Sequence, residues 1–292
     1  MGPMGGQTQY TDGWWESGDG LRLHYRDYAG PRGKPPILCI PGLTRNARDF
    51  EPVAERFAGD WRLICVDLRG RGESQAASEP AQYNPVTYSG DLEALLLALK
   101  IKRFIAFGTS LGGLLTMVLA ANKPGRIVGA LLNDIGPVVE NAGLDRIRSF
   151  VGRAQVWPTW VHAARGIAEL QKAAYPDYGL IDWLAMAKRT CRLTSQGRIM
   201  LDYDMRIAEP IRADTNTPAI DLWPFYKSLG DAPVAILRGE LSDLLSAETA
   251  KSMARQLPHA RLTTVPRVGH APALDEPAAV KAMTLLLKAV AG

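Results

Sequence analysis

Short apolar runs alternate with longer amphipathic stretches along most of this chain. PPILCIPG (35–42), WRLICVDL (61–68), RFIAFG (103–108), RIVGALLN (126–133) and APVAILRG (232–239) are brief and almost uninterrupted. That is the pattern of strands buried on both faces. Between and after them, ARDFEPVAERFAG (47–59), NPVTYSGDLEALLLALK (84–100), SAETAKSMARQL (246–257) and PAAVKAMTLLLKAV (277–290) carry helical periodicity, and ARLTTVPRVGH (260–270) adds a last strand. GWWES and LRLHYRDYAG straddle the turn GDG and predict an early hairpin. Continuous apolar strands separated by helices imply an α/β protein, a mostly parallel sheet covered by helices on both faces.

The rhythm changes between Gly136 and about Lys227. No sheet strand is evident there, the tone is helical, and aromatics accumulate from Trp157 to Tyr226. About ninety residues are too many for a structureless loop, and strand–helix alternation resumes afterwards. The expected organisation is a core over 10–136, an inserted helical lid over 137–227, and the rest of the core over 228–292. No internal repeat is present.

One run needs a separate account. FIAFGTSLGGLLTMVLAA (104–121) contains no charge in eighteen residues, long enough to be weighed as a membrane span. Gly108, Gly112 and Gly113 cluster in its middle and break it into a strand and a buried helix. The tight turn between them is GTSLG, a G-x-S-x-G sequence in strand–turn–helix context. Such a turn strains the serine backbone and lifts the Ser110 hydroxyl clear of the sheet. The helix that follows aims its N-terminal N–H groups at the same point, which favours developing negative charge.

A serine hydroxyl needs a base, and the chain has four histidines. His24 reads as a surface strand residue, His162 as a surface or packing residue of the insert, and His259 as a solvated turn residue. His270 follows the last strand, at the carboxyl edge where catalytic groups of open α/β sheets gather, and is the expected general base. A carboxylate must orient it. Asp243, in the loop of LRGELSDLLS, is the favoured choice; Asp134, at the end of VGALLND, is the rival, with a loop-anchoring role as its alternative. The oxyanion donors are expected to be the backbone N–H groups of Leu111 and Leu43.

Composition narrows the class further. A 47% hydrophobic and 22% charged chain has material for a large core. A net charge of +4 with no Lys/Arg run speaks against nucleic acid as a partner. Cys39, Cys65 and Cys191 are widely spaced and form no metal-binding pattern, which fits a reduced, cytoplasmic setting. MGPMGGQTQY lacks the basic and apolar regions of a signal peptide. No metal, cofactor or membrane association is expected, and the chain is read as a monomer or homodimer.

IPGLTRNARDF, VDLRGRGES, GTSLGG, LRGELSD and VGHAP, in that order, resemble the α/β-hydrolase superfamily, in its serine branch with a lid inserted after the sixth core strand. The resemblance covers nearly all the chain outside the lid and implies an eight-stranded sheet. Pro41-Gly42 stands where many members have His-Gly, and a serine nucleophile argues against the epoxide-hydrolase and haloalkane-dehalogenase branches. Asp67 and Arg69 are then expected to hold backbone near the site. Arg45 and Arg48 read as solvated charges on a helix start, with contact to a substrate carboxylate as the alternative. Arg45, Trp157, Trp160 and Trp183 are the candidate pocket residues, under which an apolar or aromatic substrate group would lie. The expected activity is cofactor-free hydrolysis of small-molecule carboxylic esters or lactones. Carbon–carbon bond hydrolysis of aromatic ring-cleavage products is the alternative, and a non-catalytic ligand receptor is a third reading.

Overall fold

The computed structural model describes residues 8–213 and 220–292. The core opens with strands β1 (Thr11–Glu16), β2 (Arg22–Tyr28) and β3 (Ile37–Ile40), followed by helix α1 (Glu51–Phe57) and β4 (Leu63–Asp67). Next come α2 (Pro85–Ala98), β5 (Phe104–Thr109), α3 (Leu111–Asn122) and β6 (Ile127–Asn133). The insert carries α4 (Asn141–Phe150), β7 (Val156–Trp157), α5 (Trp160–Gln171), α6 (Leu180–Thr190), β8 (Cys191–Leu193), β9 (Ile199–Leu201), α7 (Ala208–Ala213) and α8 (Trp223–Lys227). The core then resumes with β10 (Val234–Gly239), α9 (Ala247–Gln256), β11 (Ala260–Val265) and α10 (Pro277–Ala291).

Eight strands form one sheet in the order β1-β2-β4-β3-β5-β6-β10-β11. The first hairpin pairs antiparallel, β2 also meets β4 antiparallel, and the remaining neighbours are parallel. Side chains of β3, β4 and β5 alternate between the two faces, as a period of two demands, while a bulge shifts the β5–β6 register after Phe104. Ile37, Cys39, Leu63, Cys65, Ile105 and Phe107 pack against α1 and α10. Leu38, Ile40, Ile64, Val66, Phe104 and Ala106 pack against α2, α3 and α9. Both faces are therefore dry, which is why these strands read as continuous apolar runs rather than alternating ones.

The insert is not wholly helical as its sequence predicts. β7, β9 and β8 form a small antiparallel sheet. The hairpin between β8 and β9 turns at Gly197, whose φ of 72° suits glycine, and is closed by Thr194 N–H donating to Arg198 O at 2.8 Å. TSQG is a readable turn signal that the surrounding helical tone hid. Residues 214–219 of the expected lid lie outside the described residues, as do residues 1–7, on which most of the signal-peptide reading falls. No helix among the described residues is long and apolar enough to cross a membrane.

Two sequence expectations for the core are corrected. Asp67 does hold backbone, accepting from Ala47 N–H at 2.7 Å and Glu73 N–H at 3.1 Å. Arg69 instead forms bidentate pairs with Asp91 and Asp19, because its buried fork needs carboxylates to neutralise it. His24 is not at the surface but 1% exposed. Its Nδ1 lies 2.7 Å from Asp67 and its Nε2 2.9 Å from Asp12. Burial opposes a charged ring, yet the two carboxylates outweigh it and raise the His24 pKa.

A raised pKa makes this cluster's contribution full below the ordinary histidine value near 6.5. The contribution is lost as pH climbs through the raised value. His24→Gln is expected to cost about 2 kcal/mol at pH 6, with a deficit that narrows at higher pH. Denaturant melts between pH 6 and pH 9 check this. A deficit independent of pH would show that the ring's charge adds nothing.

Candidate active site

Three core strands deliver the candidate residues to one edge of the sheet. β5 ends at Thr109 and α3 starts at Leu111, so Ser110 occupies the junction with φ 52° and ψ −117°. Its N–H is fixed by the Asn133 carbonyl of the neighbouring strand at 3.0 Å. The flanking glycines are a steric requirement. A Cβ on Gly112 would run into the Ile40 carbonyl, and one on Gly108 into the Gly112 carbonyl.

His270 leaves β11 and turns back over the sheet. Its Nε2 is 2.9 Å from Ser110 Oγ, and its Nδ1 is 2.8 Å from Asp134 Oδ2. A carboxylate accepts, so Nδ1 donates and Nε2 is left to accept the serine proton. The His270 loop is held on three sides. Asn133 Nδ2 donates to the Pro272 carbonyl at 2.9 Å, the Tyr175 hydroxyl to that of Ala271 at 2.7 Å, and Gly269 N–H to that of Ala174 at 2.6 Å.

The carboxylate facing His270 is therefore Asp134, and the preference for Asp243 is corrected. β6 lies between β5 and β10, so a residue at its end sits between the serine and the returning histidine loop. Asp134 has φ 56°, a left-handed conformation that Asp tolerates. It is fully buried and also accepts from Gly239 N–H at 2.8 Å and Ser242 Oγ at 2.6 Å. Asp243 turns away to Arg146 of α4, which grips it with two bonds of 2.5 and 2.9 Å. That guanidinium holds the Asp243 carboxyl below its ordinary pKa.

The Leu43 and Leu111 N–H groups have no protein acceptor among the described residues. Both residues flank Ser110, and Leu43 lines a cavity that opens over Ser110 and His270. Arg45 lines it too, locked to Asp49 by two bonds of 2.6 Å. Arg48 faces the insert instead, donating to the Arg189 and Cys191 carbonyls and to Asp202.

Trp157, Trp160 and Trp183 do not line the cavity. They pack the insert: Trp183 meets Tyr175 and Tyr178 edge-on, Trp157 lies against Gly166, and Lys188 sits over Trp160. The apolar walls come from Ile147, Phe150 and Val151 at the end of α4, Met186 of α6, and Leu274. Arg146 and Arg189 also reach it. The spacing of Ile147, Phe150 and Val151 was a helical-face signal that aromatic content overshadowed. Arg189 is distinctive. Its carbonyl is pinned by Asn46 and Arg48, while its guanidinium donates no hydrogen bond among the described residues and approaches Asp49 only to 4.0 Å.

Comparison with known proteins places this geometry in context. Residues 37–283 match the model of the alpha/beta hydrolase family. The chain is 32% identical over 268 residues to a 3-hydroxybutyrate-oligomer hydrolase of Cupriavidus necator, covering 89% of this chain and 90% of the relative. It is 26% identical over 236 residues to a 2-(acetamidomethylene)succinate hydrolase of Mesorhizobium japonicum, covering 81% of each. A crystal structure of an alpha/beta hydrolase from Novosphingobium aromaticivorans superposes with a TM-score of 0.93 at 54% identity, over 97% of this chain and 99% of that one. With its family model matched over most of its length and its sheet order in hand, this chain belongs to the alpha/beta hydrolase family and is a hydrolase.

Proposed function

We propose that this protein is a serine esterase acting on carboxylic esters of small hydroxy acids that bear a free carboxylate, with the insert serving as its lid. The observation that carries the reading is the line of contacts from Ser110 Oγ through the His270 ring to buried Asp134. Ser110 attacks the ester carbonyl as His270 Nε2 takes its proton. The tetrahedral oxyanion accepts from Leu43 and Leu111 N–H. His270 then protonates the leaving alcohol, and a water it activates releases the acid. Asp134 holds the ring tautomer and balances the imidazolium.

The carboxylate preference is supported by the charge balance of the cavity. Three guanidinium groups line it, and the carboxylates of Asp49 and Asp243 satisfy those of Arg45 and Arg146. Arg189 is left with hydrogen-bonding capacity facing the substrate. The named substrates of the two hydrolase relatives, an oligomer of 3-hydroxybutyrate and a substituted succinate, both carry carboxylates.

The linear dimer of 3-hydroxybutyrate and its carboxamide-capped counterpart contain the same scissile ester and test the reading together. The wild type is expected to hydrolyse the acid with a kcat/KM about 30-fold above that of the amide. A fluorophosphonate is expected to stop turnover by modifying Ser110. Arg189→Met should erase the preference by slowing the acid alone. Modification at another residue overturns the serine esterase, whereas equal rates on both dimers overturn only the carboxylate preference. No ester turnover, but hydrolysis of a vinylogous diketone, would move the assignment to carbon–carbon cleavage.

A further inference from the structure

Arg71 is a buried cation that the proposed chemistry does not use. It is 1% exposed, and its hydrogen-bond partners among the described residues are carbonyls rather than carboxylates. Burying an unpaired charge is costly, and arginine cannot shed its proton to escape the cost. What the guanidinium touches is carbonyl oxygen and aromatic ring. Nε donates to the Leu43 carbonyl at 2.8 Å and Nη1 to the Arg69 carbonyl at 2.6 Å. Its carbon lies 4.9 Å from the Tyr88 ring centre and 5.7 Å from that of Tyr83, so the ring faces offset part of the charge. Nη2 has no partner.

Leu43 is one of the two expected oxyanion donors, and the loop that bears it has little to fix it locally. Arg45 N–H donating to the Gly42 carbonyl at 3.1 Å is its one internal backbone bond. An oxyanion donor is effective only if its direction is set before reaction, since a loop free to rotate must be reordered in the transition state. Holding the Leu43 carbonyl restricts rotation of the residue expected to donate its N–H. The backbone of Arg71 is braced in turn. It bridges antiparallel to Tyr203, with Gly72 N–H on the Asp202 carbonyl at 3.2 Å and Asp204 N–H on that of Gly70 at 2.7 Å.

We propose that Arg71 is a positioning residue, tying the oxyanion loop to the segment that follows β9 so that the Leu43 N–H is aimed before substrate arrives. The proposal rests on the serine-esterase reading. Wild-type turnover of p-nitrophenyl butyrate, blocked by fluorophosphonate, establishes that reading separately from any Arg71 variant.

The decisive comparison is Arg71→Met against the wild type, measured with p-nitrophenyl butyrate, butyrate as a product inhibitor, and a trifluoromethyl ketone. The ketone forms a tetrahedral adduct on serine whose single oxyanion relies fully on the aimed N–H; butyrate stays planar, shares its charge between two oxygens and relies on that N–H far less. The expected result is a kcat lowered about 100-fold, ketone affinity lowered in parallel, and KM and butyrate inhibition within about twofold. Arg71→Lys should recover part of the loss, since one ammonium group can reach one of the two carbonyls. Unchanged kcat and ketone affinity in Arg71→Met overturn the proposal. So does an equal loss of ketone and butyrate binding, which marks general disorder of the pocket. If Arg71→Met does not fold, Arg71→Lys decides: a several-fold fall in kcat at constant KM supports positioning, and wild-type kinetics overturn it.

Discussion

Asp134→Asn is expected to lower kcat/KM for p-nitrophenyl butyrate about ten-thousand-fold, while Asp243→Asn changes it by no more than about threefold. Asn preserves the shape of the carboxylate but not its charge. The amide can donate to His270 Nδ1 and so stabilise the tautomer whose Nε2 already carries a proton. That ring cannot accept from Ser110. The imidazolium formed during attack also loses a fully buried counter-ion, and the solvent that reaches its mostly covered ring offers little compensation. Asp243 spends its two oxygens on Arg146, so its removal loosens α4 rather than altering the base. Steady-state kinetics on both variants separate the two carboxylates. A large loss in Asp243→Asn with little in Asp134→Asn would move the acid back to the loop after β10.

Gly112→Ala should lower both stability and activity severely. The new carbon would meet the Ile40 carbonyl, which is backbone in the strand leading to Leu43 and cannot rotate aside. Either α3 shifts or the end of β3 does, and each leads directly to one of the two proposed oxyanion donors. Overpacking of this kind costs roughly 3 kcal/mol of stability. A displacement near 1 Å at the site costs about a hundredfold in rate. Gly90→Ala is the matched control, because a Cβ there meets nothing within 4 Å on an exposed position of α2. It should stabilise the chain by about 0.8 kcal/mol and leave kcat alone. Thermal melts and kcat measured on both variants check the pair. Retained stability and activity in Gly112→Ala would show that the turn is not sterically locked.

The core fold was legible because its signals are local. An apolar run bounded by turn residues buries itself on both faces whatever surrounds it, and G-x-S-x-G between a strand and a helix leaves a serine few places to go. The same locality identified the turn at Ser110 and the edge of the sheet from which His270 returns. Composition misled where the insert begins. Aromatic density there reflected Trp157, Trp160 and Trp183 packing their own small lobe, and the cavity walls fell to less conspicuous residues of α4 and α6.

What chain order alone could not decide was which of two carboxylates faces His270. Asp134 and Asp243 both follow apolar strands, both precede the histidine, and both reach the same edge. The choice depends on β6 lying between β5 and β10, and on an arginine of the insert more than ninety positions from Asp243 claiming that carboxylate first. His24 and Arg71 follow the same rule. Their surroundings are set by partners brought in from other strands and loops, and electrostatic energy depends on distance in space, which spacing along the chain does not record.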